Sequence, residues 1–322
     1  MKIGLIDVDS HNFPNLPLMK LSAWHKSKGD SVEFYDSLKH YDKVYLSKVF
    51  GDEYSKDYLF GINADEIVFG GTGYAITVEN GKEVYHKDYD KDLPYEIEHI
   101  YPDYSLYPEY TKDTAYGFLT RGCCNNCDFC IVSKKEGLCS QKVADLSEWW
   151  DGQKNIVLLD ANILACRDRL SLLEQLQKSN AVIDYTQGLD ARFVNEETAK
   201  AILKTKYKEI HFAFDFMKNE SEILKGLNTF MRIKNNSYQP IVYMLTNYDT
   251  THEEDIRRIK LIQECGCKPD VRIYRKHTAD RFLRDLQRWC NNRLLYGSTS
   301  FDDYKPRADG KPIKELYGFQ GM

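Results

Sequence analysis

Cys123, Cys127 and Cys130 stand in the run Thr120-Arg121-Gly122-Cys123-Cys124-Asn125-Asn126-Cys127-Asp128-Phe129-Cys130, with the spacing C-x3-C-x2-C. Thiolates are strong ligands for iron, and three on one loop reach three irons of a cubane cluster, leaving the fourth iron without a protein ligand. An open coordination position is what a catalytic metal needs. Cys124 offers a second register, C-x2-C-x2-C with Cys127 and Cys130. Two other chemistries compete. A zinc knot wants a fourth Cys or His, and the next thiol is Cys139. A plain electron-transfer cluster wants a fourth Cys at a ferredoxin-like spacing, and none follows.

The same run resembles the signature of radical S-adenosylmethionine (radical SAM) enzymes. Three cysteines keep the family spacing, the aromatic Phe129 precedes the last of them, and a strand pattern precedes the first. The resemblance extends over residues 115–274 and implies a partial (β/α)6 barrel. It also implies a [4Fe-4S] cluster on Cys123, Cys127 and Cys130, with SAM chelated at the open iron. One electron into that cluster would cleave SAM to methionine and a 5′-deoxyadenosyl radical, with a flavodoxin or ferredoxin as electron donor. Phe129, beside the last ligand, is placed by the resemblance among the cofactor-binding residues.

Other residues are pointed to by the strand ends that precede or contain them. In Leu158-Leu159-Asp160-Ala161-Asn162 the family often carries Gly-Gly-Glu near the SAM amino group; that motif is absent. Asp160 or Asn162 offers an acceptor oxygen in its place. Gln187-Gly188-Leu189-Asp190-Ala191-Arg192 looks like a stretch found in a subset of radical SAM enzymes. Two polar groups and a cation at one strand end are costly unless they bind something or pair together. Asp190 would hold the ribose hydroxyls and Arg192 the SAM carboxylate, or the two form a structural pair. Asp215, after the fourth strand, and Arg275, after the sixth, are pocket candidates by position. Cys265-Gly266-Cys267 reads as thiols at a helix C-cap more simply than as a second metal site.

These residues need a scaffold, and the apolar pattern supplies one in two parts. Strands are expected at residues 2–7, 32–35, 43–46 and 66–69, with a helix at 16–28. Such alternation predicts a small open parallel α/β sheet over residues 1–80. Residues 81–113 read as a connector, with a hairpin turn at Asn80-Gly81. Six more strands are expected at 116–119, 156–159, 182–185, 209–214, 241–245 and 271–274. Helices are expected at 170–177, 196–204 and 252–264 among others, and barrel chemistry collects at the C-terminal ends of the strands. Residues 277–322 form an extension whose Phe282, Leu286 and Trp289 share one helical face and dock inward.

The front unit resembles the cobalamin-binding domain that precedes the barrel in one radical SAM branch. There a loop after the first strand carries Asp-x-His-x-x-Gly; here Asp9-Ser10-His11-Asn12-Phe13-Pro14 keeps Asp and His and replaces Gly with Pro14. Gly70-Gly71-Thr72-Gly73 follows a strand but is not succeeded by a clear helix, which weakens a phosphate-cradle reading.

Composition bounds the rest. The chain has 322 residues, 42% of them apolar, and no apolar run near the length of a membrane span, so it is expected to be cytoplasmic. The net charge of −5 gives no global pull toward nucleic acid. Basic residues at 200–208 and 281–288 read most simply as solvated helix faces, so a nucleic-acid partner is not indicated. The expectation is therefore a radical SAM enzyme on an unassigned substrate. Its alternatives are a non-catalytic zinc or iron–sulfur module, or a nucleic-acid-modifying radical methyltransferase or methylthiotransferase.

Overall fold

The structure is a computed structural model, and it describes all residues except 59, 80, 81, 309 and 319–322. Strand β1 (Lys2–Asp7) is apolar on both faces and lies inside a four-stranded parallel sheet of order β2-β1-β3-β4. Its partners are β2 (Ser31–Phe34), β3 (Tyr41–Ser47) and β4 (Ala64–Gly70). Among the described residues only the first crossover is helical. Helix α1 (Leu16–Ser27) starts where Asn15 accepts from the Leu18 amide, and it stops before Gly29, whose φ of +83° suits glycine. Its Leu18 and Leu21 pack with Ile3, Leu5 and Ile97 on one side of the sheet. On the other side loop aromatics do the work of a second helix: Tyr35, Tyr58 and Tyr74 cover Ile6, Tyr41, Val44 and Leu46.

The chain continues through an antiparallel hairpin, β5 (Ile76–Glu79) with β6 (Lys82–Tyr85), and two short helices, α2 (Tyr95–Glu98) and α3 (Pro108–Thr111). The expected turn at Asn80-Gly81 lies outside the described residues. Next come β7 (Thr114–Gly117), β8 (Thr120–Arg121), α4 (Val132–Glu136), β9 (Gln141–Lys142), β10 (Asn155–Leu158) and α5 (Arg169–Ser179). A strand–helix alternation follows: β11 (Val182–Leu189), α6 (Glu196–Lys204), β12 (Lys206–Ala213), α7 (Glu220–Ile233), β13 (Ile241–Thr246), α8 (His252–Glu264), β14 (Lys268–Ile273) and α9 (Arg281–Asn291), and two short helices, α10 (Arg293–Ser298) and α11 (Ile313–Tyr317), come after it. The longer strands form a six-stranded parallel sheet in chain order, β14-β13-β12-β11-β10-β7.

Capping explains why two helices begin where the sequence puts them. Asn195 with Thr198, and Thr251 with Glu254, each close a reciprocal capping box. Helix α7 is harder to see in the sequence, because Gly226 interrupts its pattern. That glycine is required: a Cβ there would sit 1.8 Å from the carbonyl oxygen of Ala191. Two strands end more than one residue away from the expected position. β7 stops at Gly117, where a Cβ would lie 2.3 Å from the Trp149 indole, so the chain bends before residue 119. β11 runs on to Leu189, which is buried like Ile183 and Tyr185 earlier in the strand. Gln187 is therefore inside that strand and not in the loop after it.

The chain divides into two compact units, Met1–Ala161 with Cys166–Val182, and Asn162–Ala165 with Ile183–Met322. The second unit holds α9 as expected. Phe282, Leu286 and Trp289 are buried, and Asn291 and Gln287 bond the backbone of Val271 in β14. Among the described residues no helix is long and apolar enough to cross a membrane.

Candidate metal centre

In the first unit the cysteine loop leaves a short antiparallel pair, in which Thr120 and Arg121 of β8 face Lys142 and Gln141 of β9. Asp160, just past β10, fixes the entry to that pair. Its carboxylate accepts from the Leu119 amide (3.0 Å), the Thr120 amide (2.5 Å) and the Thr120 hydroxyl (2.6 Å). Burial pushes its pKa up to about 6, against the pull of those donors. Asp160 thus spends its acceptor capacity on the loop's own backbone, which makes it a positioning residue.

Gly122 follows at φ +88°, where a Cβ would lie 2.2 Å from the carbonyl oxygen of Cys139. Glu136, at the end of α4, accepts from the Gly122 amide (2.9 Å) and from the Arg121 guanidinium (2.8 Å). The Cys123 amide donates to the Gly137 carbonyl at 3.2 Å. Arg121 stacks over the Phe118 ring at 3.6 Å and comes within 3.7 Å of Glu98, which holds Lys20 of α1 at 2.8 Å. Burial pulls the Lys20 ammonium below the usual lysine range, with Glu98 opposing. A chain of alternating charges, Lys20–Glu98–Arg121–Glu136, therefore braces the loop from beneath.

Within the loop the Asn125 amide points at Cys123 Sγ (3.4 Å), and the Cys130 amide closes a turn on the Cys127 carbonyl (3.0 Å). An amide aimed at sulfur suits a thiolate ligand, since such bonds stabilise the sulfur's negative charge. Cys123, Cys127, Phe129 and Cys130 are half-buried, whereas Cys124 and Cys139 are exposed. Among the described residues no three His, Cys, Asp or Glu side chains stand close enough together to hold a metal ion. The fit to a cluster therefore rests on the donor set, three soft ligands on one braced loop with an amide turned toward the first.

The second unit carries the remaining candidates. The Asn162 amide donates to Asp190 at 3.2 Å, while its oxygen accepts from Ala165. Asp190 caps a 3₁₀ turn through the Arg192 amide and grips the Arg192 guanidinium twice, at 2.9 and 2.7 Å. Asn162, Asp190 and Arg192 are thus one hydrogen-bonded group. Gln187 is exposed on β11. Asp215 accepts from the Leu245 amide at 2.9 Å, and burial lifts its pKa. Arg275 turns the chain after β14 at φ +44° and lies near the Tyr274 ring.

Sequence reasoning passed over Arg258, which is completely buried on α8. It donates to the carbonyls of Phe214 (2.9 Å), Asp215 (3.0 Å) and Leu245 (2.7 Å), and pairs with Asp255 at 2.5 Å. It ties the ends of β12 and β13 together at the candidate Asp215. The i, i+3 spacing of Asp255 and Arg258 was the available signal. Cys265 and Cys267 bear out the C-cap reading. Gly266 has φ +77°, the Cys267 amide caps Ile262, and burial raises both thiols, Cys267 to about 12.

In the front sheet, Asp9 is buried and gives both carboxylate oxygens to the amides of Val49 and Phe50, each at 2.8 Å. His11 is exposed. The Asp–His pairing of the histidine-ligated cobalamin loop is not what Asp9 is used for. No protein-family model matches this chain, and no curated protein matches it.

Proposed function

We propose that the protein is a radical SAM enzyme, with Cys123, Cys127 and Cys130 as the ligands of a [4Fe-4S] cluster and the six-stranded sheet curled as a partial barrel. The observation that carries this reading is the C-x3-C-x2-C loop beside the C-terminal ends of β7 and β10, braced by Asp160 and Glu136. When bound, the cluster supplies the electron that cleaves SAM. The chain's own residues bind and orient. Asp190, with Asn162 and Arg192, presents carboxylate, amide and guanidinium groups suited to the ribose and carboxylate of SAM, and Asp215 and Gln187 add acceptors. Engaging SAM requires the Asp190–Arg192 pair to exchange internal bonds for ligand bonds. Asp160 holds the loop's entry. A flavodoxin or ferredoxin is the proposed electron donor. The residues do not fit histidine-ligated cobalamin, because Asp9 is committed to backbone, and no step is drawn through it.

The test is anaerobic reconstitution with iron and sulfide, then SAM and a strong reductant, with 5′-deoxyadenosine as the readout. Cluster-loaded protein that leaves SAM intact would sink the reading. A second reading has its own observation: the backbone of Cys139 lies against Gly122, which brings a fourth cysteine beside the loop. That favours a four-thiolate zinc site. Zinc retained by aerobically purified protein, and lost in Cys139→Ala, would support it over the cluster.

A further inference from the structure

The second unit has an open cleft of about 590 Å³ lined only by residues with charged or amide ends: Lys276, Arg284, Gln287, Arg288, Asn291 and Asn292. Five of these six side chains are exposed and Gln287 is half-buried. No carboxylate lines the cleft. Among the described residues, Lys276, Arg284 and Arg288 make no ion pair, although their neighbours do: Arg272 is held by Asp270 at 2.6 Å and Arg281 by Asp285 at 3.2 Å. The acids nearby are thus spoken for, and three positive charges gather on a chain whose net charge is −5.

The floor of the cleft is fixed. Gln287 donates to the Val271 carbonyl at 2.9 Å, and Asn291 both accepts from the Val271 amide (2.8 Å) and donates to its carbonyl (3.0 Å). Asn292 caps the following helical turn through the amides of Leu294 and Leu295. Arg284 reaches back to the carbonyls of Lys276 and His277, both at 3.2 Å, which holds the β14–α9 loop beside the helix. Arg284 and Arg288, four residues apart on α9, point the same way about 6 Å along the axis. Lys276 joins them only through the turn of the chain.

We propose that this cleft binds the phosphodiester backbone of a polynucleotide. A small-molecule pocket encloses its ligand in mostly apolar walls. This cleft is open to solvent and encloses nothing, so a small anion would stay hydrated there and gain little. A polyanion gains by releasing counterions at each cation it meets. No aromatic side chain lines the cleft, so base stacking is absent and binding follows phosphate and not sequence. The inference is independent of the cluster reading, because it needs only the folded chain.

The test uses full-length protein without added metal and a fluorescent single-stranded oligonucleotide of mixed sequence, followed by anisotropy across a salt series. RNA and DNA strands are separate arms: equal binding assigns recognition to the backbone alone, and RNA preference adds a 2′-hydroxyl contact to it. Three phosphate contacts give a log–log salt slope of about −2, or about 20-fold weaker binding between about 50 and 200 mM salt. Arg284→Glu with Arg288→Glu should remove about two-thirds of that slope. Because Arg284 also supports the loop, Lys276→Glu with Arg288→Glu is the second variant, and it should lower the slope by the same amount. The proposal is overturned if binding is unaffected by both charge reversals. It is also overturned if polyglutamate of matched charge binds as tightly as the oligonucleotide, which would make the cleft a docking surface for an acidic protein.

Discussion

Replacing Asp160 with asparagine removes the charge at the entry to the cysteine loop and leaves the side chain's size unchanged. In the folded chain burial lifts the Asp160 pKa from 3.8 to about 6. Folded Asp160 then keeps a proton that the unfolded chain has already released, so folding takes up a proton between those values. Stability from this group is accordingly full at low pH and falls as pH rises through the window. The size of the fall is on the order of 3 kcal/mol, at about 1.4 kcal/mol for each pH unit. The carboxamide of D160N cannot titrate, so the stability of wild type relative to this variant should drop by about that amount between about pH 4 and pH 7. Urea denaturation of metal-free, reduced protein at both pH values measures it. The opposite trend, with wild type gaining on the variant as pH rises, would show that the three donors from Leu119 and Thr120 outweigh burial and would refute the argument. Asp160→Ala sets the scale of the hydrogen bonds themselves. It leaves two buried amides without an acceptor, at about 1–3 kcal/mol each, and should lower iron loading along with the urea midpoint.

Three further outcomes are expected. Cys123→Ala should abolish iron binding on reconstitution while Cys124→Ala largely spares it, measured as iron per chain; the reverse would assign the ligands to the register that uses Cys124. Gly122→Ala forces a Cβ against the Cys139 carbonyl at positive φ, so it should cost about 1–3 kcal/mol in thermal unfolding and reduce metal uptake more than the exposed-site change Cys124→Ala. Arg258→Met strands Asp255 as a buried, unpaired carboxylate and should destabilise by about 3–5 kcal/mol, with Asp255→Asn added to Arg258→Met restoring part of the loss. A double-mutant cycle that shows no coupling would contradict the pairing.

The sequence determined the parts that depend on neighbours along the chain. Helices 196–204 and 252–264 are legible because their capping boxes are local hydrogen bonds between residues three apart. The parallel strands are legible as short apolar runs, and the cysteine loop as a spacing of thiols. The pair Cys265 and Cys267 is legible too, as a glycine-centred helix end.

Tertiary structure decided whatever depends on partners distant in sequence. Asp160 reads as a pocket residue in the sequence and becomes a brace because Leu119 and Thr120, some forty residues earlier, arrive with unsatisfied amides. Asp190 and Arg192 join Asn162 in one group through a contact across 28 residues. Gly226 conceals a helix because its reason for being glycine is a backbone 35 residues away. Arg258 looks like any solvated helix cation until the carbonyls ending β12 and β13 converge on it. Lys276 meets the arginines of α9 only through the turn that follows β14. A residue's type and spacing state what it can bond, and the fold alone states which of those bonds are already taken.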